Sequence, residues 1–232
     1  MAKTSKKVLV TRQFEQVGSF VNALSKKGHY PFLLPMIETV QLCPTIDDGI
    51  YEVVLFTSAN AVKYFAPYND RVRGLVYIAV GPKTAQAMQV FLGVSADRIP
   101  VVYDIQNVKK ILTSIKLDGA RILSPGAKDR SDESLNEISN MGASILTPVV
   151  YETNFADYPK GYVDQFIVDN KINTVTFCSP SSAKSFVSQV NIDISKLDII
   201  SIGATTSDYL NSVGIKSRYP DIYTVEAMAD II

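Results

Sequence analysis

Reactive side chains are scarce in this chain of 232 residues. It has one histidine, His29, and two cysteines, Cys43 and Cys178, which lie in different sequence contexts. A disulfide framework is therefore not expected, and without Cys or His pairs at ligand spacing neither is a zinc site. A Ser-His-Asp mechanism would need His29, and no Gly-x-Ser-x-Gly motif is present. Because His29 follows Gly28 at a predicted helix-to-strand turn, we expect its side chain to be exposed to solvent.

Charge and hydropathy exclude further classes of protein. The chain has 23 Lys and Arg and 23 Asp and Glu, so its formal net charge is zero. Without a basic excess, general binding to nucleic acid or to a membrane surface is not expected. No apolar run approaches the about 18 residues that a membrane-spanning helix needs. The opening "MAKTSKK" leads directly into a predicted strand rather than into a secretory signal, so we expect a cytoplasmic protein.

Short apolar segments alternate with amphipathic segments along the chain, which predicts strands alternating with helices. Continuous apolar strands separated by helices are typical of a parallel sheet that is covered on both faces. Strands are predicted at 7–12, 30–35, 53–58, 76–81, 120–126, 143–152, 172–180, 197–203 and 215–220. Helices are predicted at 15–28, 59–68, 83–93, 130–142, from 181 onward, and at 204–213.

Two kinds of segment each occur twice in the sequence. Residues 8–39 resemble residues 121–153, and residues 53–93 resemble residues 175–214. This pattern predicts an internal duplication and therefore two similar α/β domains. The spacing common to all α/β proteins is the alternative explanation.

The offsets within the second pair of segments support the duplication. Ser58 and Gly81 are 23 residues apart, and Ser179 and Gly203 are 24 residues apart. Both serines end an apolar strand, and both glycines end the next strand along the chain.

Two segments without helical periodicity, 35–49 and 148–154, are predicted to be extended connectors between domains. If the chain crosses between domains at both, residues 50–147 form one domain, and residues 1–34 and 155–232 together form the other. Two consecutive domains are the alternative that these patterns leave open.

The predicted strands end in serine, threonine and glycine, in the segments "TSAN" (57–60), "GPKT" (81–84), "SPGAKDR" (124–130), "SPSS" (179–182) and "GATT" (203–206). Ligands of open α/β sheets bind beyond the carboxyl ends of the strands, where helix N-termini present free amides. Each hydroxyl can instead cap its own helix. Neither a phosphate-binding loop nor a dinucleotide fingerprint is present. These neutral donors suit a ligand rich in carboxylates at least as well as a phosphate.

Cationic side chains near the same strand ends can add positive charge, although solvated helix faces explain the lysines equally well. These side chains are Arg12, Lys63, Lys83, Lys128, Arg130 and Lys184.

The ordered motifs resemble those of uroporphyrinogen-III synthases. They are "LFTSANAV" with "AVGPKTA", "GAKDR" before "VYET", and "FCSPSSA" with "SIGATTS", and the resemblance extends over about residues 7–230. It implies an α/β fold of two similar parallel-sheet (flavodoxin-like) domains joined by a two-stranded connector. The outer segments of the chain would form one domain and the middle segment the other, with the substrate between them.

The resemblance also implies an activity: closure of hydroxymethylbilane to uroporphyrinogen III, with loss of water and inversion of ring D, in tetrapyrrole biosynthesis. The enzyme would be a carbon-oxygen lyase without a cofactor, and we expect it to be a monomer. Its main task would be to hold the substrate in the bent geometry that favours the inverted closure. A non-catalytic tetrapyrrole or organic-acid binding protein with the same two-domain clamp is the alternative.

Tyr151, in "VVYET", is the candidate proton donor that the resemblance implies, because a phenol carries its proton at neutral pH. Packing within the connector is its alternative role. Asp208 is expected on the outer face of its helix, since a carboxylate pointing inward would repel the substrate. The substrate-binding positions that the resemblance implies are Arg12, Ser58, Asn60, Gly81, Thr84, Gly126, Arg130, Ser179, Ser181, Gly203, Thr205 and Thr206.

Overall fold

The computed structural model describes residues 5–102, 105–115, 118–130, 133–140 and 142–232. The first residues of "MAKTSKK", and positions 131, 132 and 141 of the helix predicted at 130–142, lie outside the described residues. Among the described residues, no helix combines the length and the apolar character needed to cross a membrane.

Strands and helices alternate through most of the chain. The strands are β1 (Lys7–Val10), β2 (Tyr30–Leu33), β3 (Ile37–Gln41), β4 (Gly49–Phe56), β5 (Val72–Ala79), β6 (Arg121–Leu123), β7 (Gly126–Ala127), β8 (Ser144–Leu146), β9 (Val149–Phe155), β10 (Thr174–Phe177) and β11 (Asp198–Ser201). The α-helices are α1 (Gly18–Lys26), α2 (Ala59–Phe65), α3 (Pro82–Leu92), α4 (Ile105–Thr113), α5 (Glu133–Ser139), α6 (Tyr162–Asp169), α7 (Pro180–Gln189), α8 (Ala204–Ser212) and α9 (Val225–Asp230). Short 3₁₀ helices occupy Phe14–Gln16 and Ala66–Arg71.

The chain divides into two compact units. Unit 1 consists of Met1–Glu38 together with Asn154–Ile232, and unit 2 consists of Thr39–Thr153. The chain therefore passes from one unit to the other within β3 and again within β9.

Each unit contains a four-stranded parallel sheet. The order is β2-β1-β10-β11 in unit 1 and β8-β6-β4-β5 in unit 2. The sequence repeat pairs β1 with β6, β2 with β8, β10 with β4 and β11 with β5, so the two orders are the same. The prediction of an α/β fold with two similar parallel sheets is confirmed. A third sheet has the order β3-β9-β7.

The sheet of unit 1 is buried on both faces, as its apolar strands predict. Along β1, Leu9 contributes to one core cluster with Phe177, while Val8 and Val10 contribute to another with Phe20. Successive strand residues point to opposite faces, so one short strand supplies both cores.

Unit 2 repeats this arrangement along β4. Val54 and Phe56 belong to one core cluster, and Val53 and Leu55 belong to another. The helices that cover the two faces therefore complete a three-layer unit.

A pair of phenylalanines packs at the same corner of each unit. The rings of Phe56 and Phe65 lie 5.4 Å apart at 62°, and those of Phe177 and Phe186 lie 5.3 Å apart at 64°. In both pairs the first residue ends a strand and the second lies in the following helix. The two strand-to-helix corners are thus packed in the same way, which an internal duplication predicts.

His29 is buried, so the prediction that its side chain is exposed is wrong. It is 3% exposed, and its Nδ1 accepts a hydrogen bond from the Lys6 N–H at 3.1 Å. Gly28 ends the helical segment in the left-handed region (φ 79°), which turns the chain back. The His29 N–H then donates to the Leu24 carbonyl at 3.0 Å, and the imidazole packs beneath the start of β1 instead of facing water.

The sequence patterns did not predict α4, α6 or α9, and they predicted a strand at 215–220 that forms only one bridge. That bridge joins Arg218 to Ile200. Pro220 has no N–H to continue a ladder, which limits the pairing of this segment. Helix α9 has six residues, too few to establish a helical period in the sequence.

Replacing Phe186 with alanine should lower the free energy of unfolding by about 3–5 kcal/mol, the usual cost of removing a buried phenylalanine. The equivalent change Phe65→Ala should cost a similar amount in unit 2. Urea unfolding followed by circular dichroism measures both losses. Val90→Ala, at an exposed site, serves as the control and should change stability by less than about 0.5 kcal/mol. A loss below about 1 kcal/mol for Phe186→Ala would contradict the proposed core.

Candidate functional site

The predicted binding residues of unit 1 follow the carboxyl ends of three strands of its sheet. Arg12 follows β1, Ser179 and Ser181 follow β10, and Gly203, Thr205 and Thr206 follow β11. Because these strands are parallel, their carboxyl ends lie at one edge of the sheet. The structure therefore brings these residues to one edge of unit 1.

Unit 2 carries its own predicted residues at the corresponding edge. Ser58 and Asn60 follow β4, Gly81 and Thr84 follow β5, and Gly126 and Arg130 follow β6, with Gly126 in β7. Tyr151 lies in β9, which pairs with β7 so that Tyr151 is opposite Ala127.

Ser58 and Ser179 cap their helices, as the alternative reading of these hydroxyls predicted. The Ser58 Oγ accepts from the Ala61 N–H at 3.1 Å, and the Ser179 Oγ accepts from the Ser182 N–H at 3.2 Å. Each hydroxyl uses a lone pair for the cap. The Ser179 Oγ also donates to the Ser182 Oγ at 3.3 Å, whereas the Ser58 Oγ lies 3.5 Å from the Tyr151 Oη. Capping therefore holds both hydroxyls at the strand end, where each also faces a second side-chain oxygen.

Gly81 and Gly203 are the N-caps of α3 and α8. Both have extended backbone (φ 164° and −175°), which any residue can adopt. At Gly203 the reason for glycine is space, because a methyl group there would lie 2.8 Å from ring atoms of Tyr223.

Thr84 and Thr206 are equivalent residues in the first turns of α3 and α8. Both side chains are buried. In the described part of the chain, neither hydroxyl hydrogen-bonds to another group. The first N–H groups of these helices also lack partners within the helix. Each unit thus has a threonine hydroxyl and helix amides that remain available to a ligand.

The residues next to Thr206 are exposed. Thr205 is accessible to solvent, and Asp208 is exposed on α8, as expected. Asp208 is therefore exposed, whereas Thr206 on the same helix is buried.

Arg12 carries an unsatisfied donor at the end of β1. Its Nε is enclosed and has no hydrogen-bond partner in the described residues. The preceding Thr11 is held in place because its hydroxyl donates to the Thr176 carbonyl at 2.7 Å. A buried guanidinium nitrogen without a partner favours binding of an anion.

Gly126 and Arg130 act as a pair in unit 2. The Arg130 Nη1 donates to the Ser124 carbonyl at 2.6 Å, and the side chain lies across Gly126, where a methyl group would overlap the guanidinium. The Gly126 N–H donates to the Pro148 carbonyl at 3.0 Å. Gly126 therefore does not offer its amide to a ligand, and it instead gives Arg130 room at the end of β6.

The phenol of Tyr151 is buried and held on two sides. Its Oη lies 3.5 Å from the Ser58 Oγ. Its ring stacks on that of Tyr64, with centroids 5.2 Å apart at 25°. The Tyr64 hydroxyl lies 2.6 Å from the Thr39 Oγ1 and donates to the Thr39 carbonyl at 3.0 Å. Tyr64 and Thr39 were not predicted from the sequence, since no local pattern links positions so far apart along the chain.

An ion pair flanks Tyr151. The Lys128 N–H donates to the Tyr151 carbonyl at 3.0 Å, and the Lys128 Nζ lies 2.8 Å from the Glu152 Oε2. The hydrogen bond to Glu152 and the attraction of its carboxylate raise the pKa of Lys128. The charge of Lys128 is therefore largely compensated by Glu152.

The remaining predicted cations lie on helices near the strand ends. The Lys63 Nζ lies 5.2 Å from the centre of the Tyr64 ring, and the Lys184 Nζ lies 5.5 Å from that of Tyr209. Lys83 is exposed. These lysines therefore carry positive charge on the helices that follow the strands, and not on the strand ends themselves.

The hydrogen-bond donors at the strand ends determine which ligands these ends can bind. They present hydroxyls, helix amides, two arginines and one phenol. Within the described ranges, no group of three or more His, Cys, Asp and Glu could hold a metal ion. In each unit these donors can bind an anionic organic ligand, and in unit 2 the phenol of Tyr151 can also donate a proton.

The sequence is similar to those of known proteins over nearly its whole length. The chain is 26% identical over 244 residues to a protein of Methanocaldococcus jannaschii named putative uroporphyrinogen-III synthase, with 97% of each chain covered. It is 27% identical over 231 residues to the uroporphyrinogen-III synthase of Chlorobaculum parvum, with 91% of each covered.

Solved structures share the fold. The uroporphyrinogen-III synthetase of Helicobacter pylori matches with a TM-score of 0.70 at 19% identity, with 97% of each chain covered. A mutant uroporphyrinogen III synthase of Thermus thermophilus matches with a TM-score of 0.56 at 13% identity, covering 97% of this chain and 96% of that one.

The family model described as uroporphyrinogen-III synthase HemD matches residues 18–230, which is most of the sequence. The chain therefore belongs to the uroporphyrinogen-III synthase family.

Proposed function

We infer that this chain catalyses the closure of hydroxymethylbilane to uroporphyrinogen III, with loss of water and inversion of ring D. The observation that carries this inference is the matched set of donors in the two units of a chain that belongs to this family. Each unit has a capping serine, a glycine N-cap and a buried threonine without a partner at the carboxyl ends of its parallel strands. A linear substrate with eight carboxylates needs many such donors.

Binding is assigned to the unsatisfied groups at the strand ends. In unit 2 these include the Thr84 hydroxyl, and in unit 1 the Thr206 hydroxyl and the Arg12 Nε. Hydrogen bonds to charged acceptors are stronger than those between neutral groups, so acetate and propionate arms are suitable ligands. Holding several arms at once restricts the substrate to bent conformations and favours attack by the substituted carbon of ring D.

Tyr151 is proposed to donate a proton to the departing hydroxyl. The C–O bond breaks, water leaves, and the electrophilic azafulvene that remains is attacked by the carbon of ring D that already carries the bridge. The spiro intermediate that results then opens and recloses, and the inverted ring loses a proton, which restores the phenol. The stack on Tyr64 fixes the ring of Tyr151, and the nearby Ser58 hydroxyl can orient its O–H.

The comparisons do not favour a non-catalytic binding protein as the alternative. That the enzyme acts as a cytoplasmic monomer, without nucleic acid or membrane partners and without a cofactor, stays a prediction from the composition and the resemblance.

Hydroxymethylbilane added to the purified protein should yield uroporphyrinogen III in excess over isomer I, the isomer that forms without an enzyme. Oxidation of the products to porphyrins and chromatographic separation measures the ratio of isomers. A protein that binds the bilane but yields isomer I alone, at the rate seen without protein, would be a binding protein and not a synthase.

Tyr151→Phe should lower kcat by about tenfold to a hundredfold, near the low end of general acid catalysis, because the proton donor is lost while the ring stack is kept. Steady-state formation of isomer III measures the effect. The control Tyr68→Phe removes another buried phenol of unit 2 and should leave kcat unchanged. An unchanged kcat in Tyr151→Phe would reduce Tyr151 to a packing role.

Thr84→Val and Thr206→Val should each raise KM by about tenfold or more, because a hydrogen bond to a charged group contributes about 1.5–3 kcal/mol. Their unfolding midpoints should stay at the wild-type value, since neither hydroxyl has a partner in the described residues to lose.

Thr176→Val is the matched control for these two variants. Its buried hydroxyl donates to the Leu9 carbonyl at 2.8 Å, so its loss should lower stability by about 1 kcal/mol with no change in KM. Unchanged KM values in Thr84→Val and Thr206→Val would remove both hydroxyls from the site.

A further inference from the structure

Tyr223 presents a large aromatic surface next to the N-terminus of α8. Its side chain is 57% exposed, yet its ring lies against Gly203, where a methyl group would approach ring atoms Cγ and Cδ2 to 2.8 Å. Gly203 is the N-cap of α8, and Thr205 and Thr206 follow it. Tyr223 therefore borders the same strand end as three proposed binding residues of unit 1.

The segment that carries Tyr223 is anchored on its N-terminal side by Arg218. The Arg218 carbonyl accepts from the Ser201 N–H at 3.0 Å, and its N–H donates to the Ile199 carbonyl at 3.1 Å. Its guanidinium makes two hydrogen bonds to the Asp198 carboxylate, at 3.0 and 2.6 Å. This side of the segment is thus attached to β11.

The C-terminal side is anchored by α9. The Thr224 hydroxyl caps this helix by accepting from the Ala227 N–H at 3.1 Å, and Met228 is buried. With both ends held, the ring of Tyr223 is already in position, so a ligand would lose little free energy in ordering it.

The aromatic surface here is larger than one ring. Tyr219 is also exposed, and its ring lies 6.1 Å from that of Tyr223 at 80°. In the part of the chain that the structure describes, neither hydroxyl makes a hydrogen bond. Both tyrosines therefore expose a ring face and a hydroxyl donor to solvent, and the ring of Tyr223 does so next to Gly203.

We propose that Tyr223 binds a pyrrole ring of hydroxymethylbilane, with its ring packed against the pyrrole and its hydroxyl donating to a carboxylate arm. This proposal rests on the function inferred above. The substrate joins flat aromatic rings to carboxylates, and tyrosine joins a ring face to a hydrogen-bond donor. Tryptophan and histidine also join a ring to an N–H donor, but this chain has no tryptophan and its one histidine, His29, is buried.

The sequence repeat favours a functional role for this tyrosine. Arg218 is followed five residues later by Tyr223, and Arg98 is followed five residues later by Tyr103. Both arginines form the equivalent single bridge, to β11 in unit 1 and to β5 in unit 2. Tyr103 lies outside the described residues, so the correspondence is one of sequence. A tyrosine therefore stands at this offset from the bridging arginine in both halves of the sequence.

A single-tryptophan variant tests the contact directly. The chain has no tryptophan, so Tyr223→Trp introduces one fluorophore at the proposed position. Uroporphyrinogen III, added anaerobically, lacks the conjugated macrocycle that would absorb the emission. Binding should shift the tryptophan emission to shorter wavelength and reduce its quenching by acrylamide.

Tyr30→Trp is the matched control. Tyr30 is 60% exposed and begins β2, at the amino edge of the same sheet. Its emission and quenching should not respond to uroporphyrinogen III.

Kinetic variants separate the two contacts of Tyr223. Tyr223→Leu should raise KM by about tenfold or more, with kcat changed by less than about threefold, because stacking and a charged hydrogen bond are both lost. Tyr223→Phe keeps the ring and should raise KM less than Tyr223→Leu does. Tyr30→Leu should match the wild type.

The outcomes distinguish this proposal from the proposed function. If the wild type makes isomer III while Tyr223→Leu keeps the wild-type KM and Tyr223→Trp is unresponsive, the proposal is overturned and the function stands. If the wild type makes only isomer I, the function fails, and the proposal fails with it. Circular dichroism and urea midpoints equal to those of the wild type would show that the variants are folded.

Discussion

The parallel pairing of strands within each unit is the constraint on which the proposed site depends. Parallel strands must all end at the same edge of a sheet, so residues far apart in the chain meet there without any direct contact to hold them. In unit 1 this edge collects residues that follow β1, β10 and β11, although β1 and β10 are separated by the whole of unit 2. The edge is held by buried cores on both faces of the sheet, and the hydroxyls of Thr84 and Thr206 make no hydrogen bond to it in the described residues. Ligand-binding groups can therefore be left unsatisfied without loss of the fold.

Polar groups without hydrogen-bond partners at the strand ends affect the stability of the fold. A buried polar group without a partner costs about 1–3 kcal/mol of stability. The Nε of Arg12 is such a group in the described residues, and the hydroxyls of Thr84 and Thr206 also lack a hydrogen-bond partner there. The hydroxyls of Ser58 and Ser179 differ from these groups, because each accepts a hydrogen bond from an amide of its own helix. The site thus combines groups committed to the fold with groups held ready for a ligand.

Local patterns in the sequence predicted the parts of the structure that local chemistry determines. Apolar runs indicated the parallel strands, and Ser58 and Ser179 were recognisable as caps because a cap needs only its own helix. The stack of Tyr151 on Tyr64 was not predictable, since it depends on how β9 packs against a helix far away in the sequence. His29 was misassigned for the same reason. Its turn is local, but the Lys6 N–H that donates to its Nδ1 comes from the beginning of the chain.

The duplication was predictable from matching offsets in the sequence. The packing of the two units shows which contacts the copies share. The two phenylalanine pairs have nearly the same ring geometry, although the residues around them differ. Equivalent corners have been kept where a ring must fill the space between a strand end and the next helix. Elsewhere the units diverge, as the guanidinium of Arg130 across Gly126 illustrates.

Because the side chain of Arg130 lies across Gly126, the residues that are tolerated at positions 126 and 130 depend on each other. Any side chain at position 126 would displace the guanidinium of Arg130 from the Ser124 carbonyl. A shorter residue at position 130 would leave room for a side chain at position 126. A substitution at either position therefore changes which residues the other position can accept.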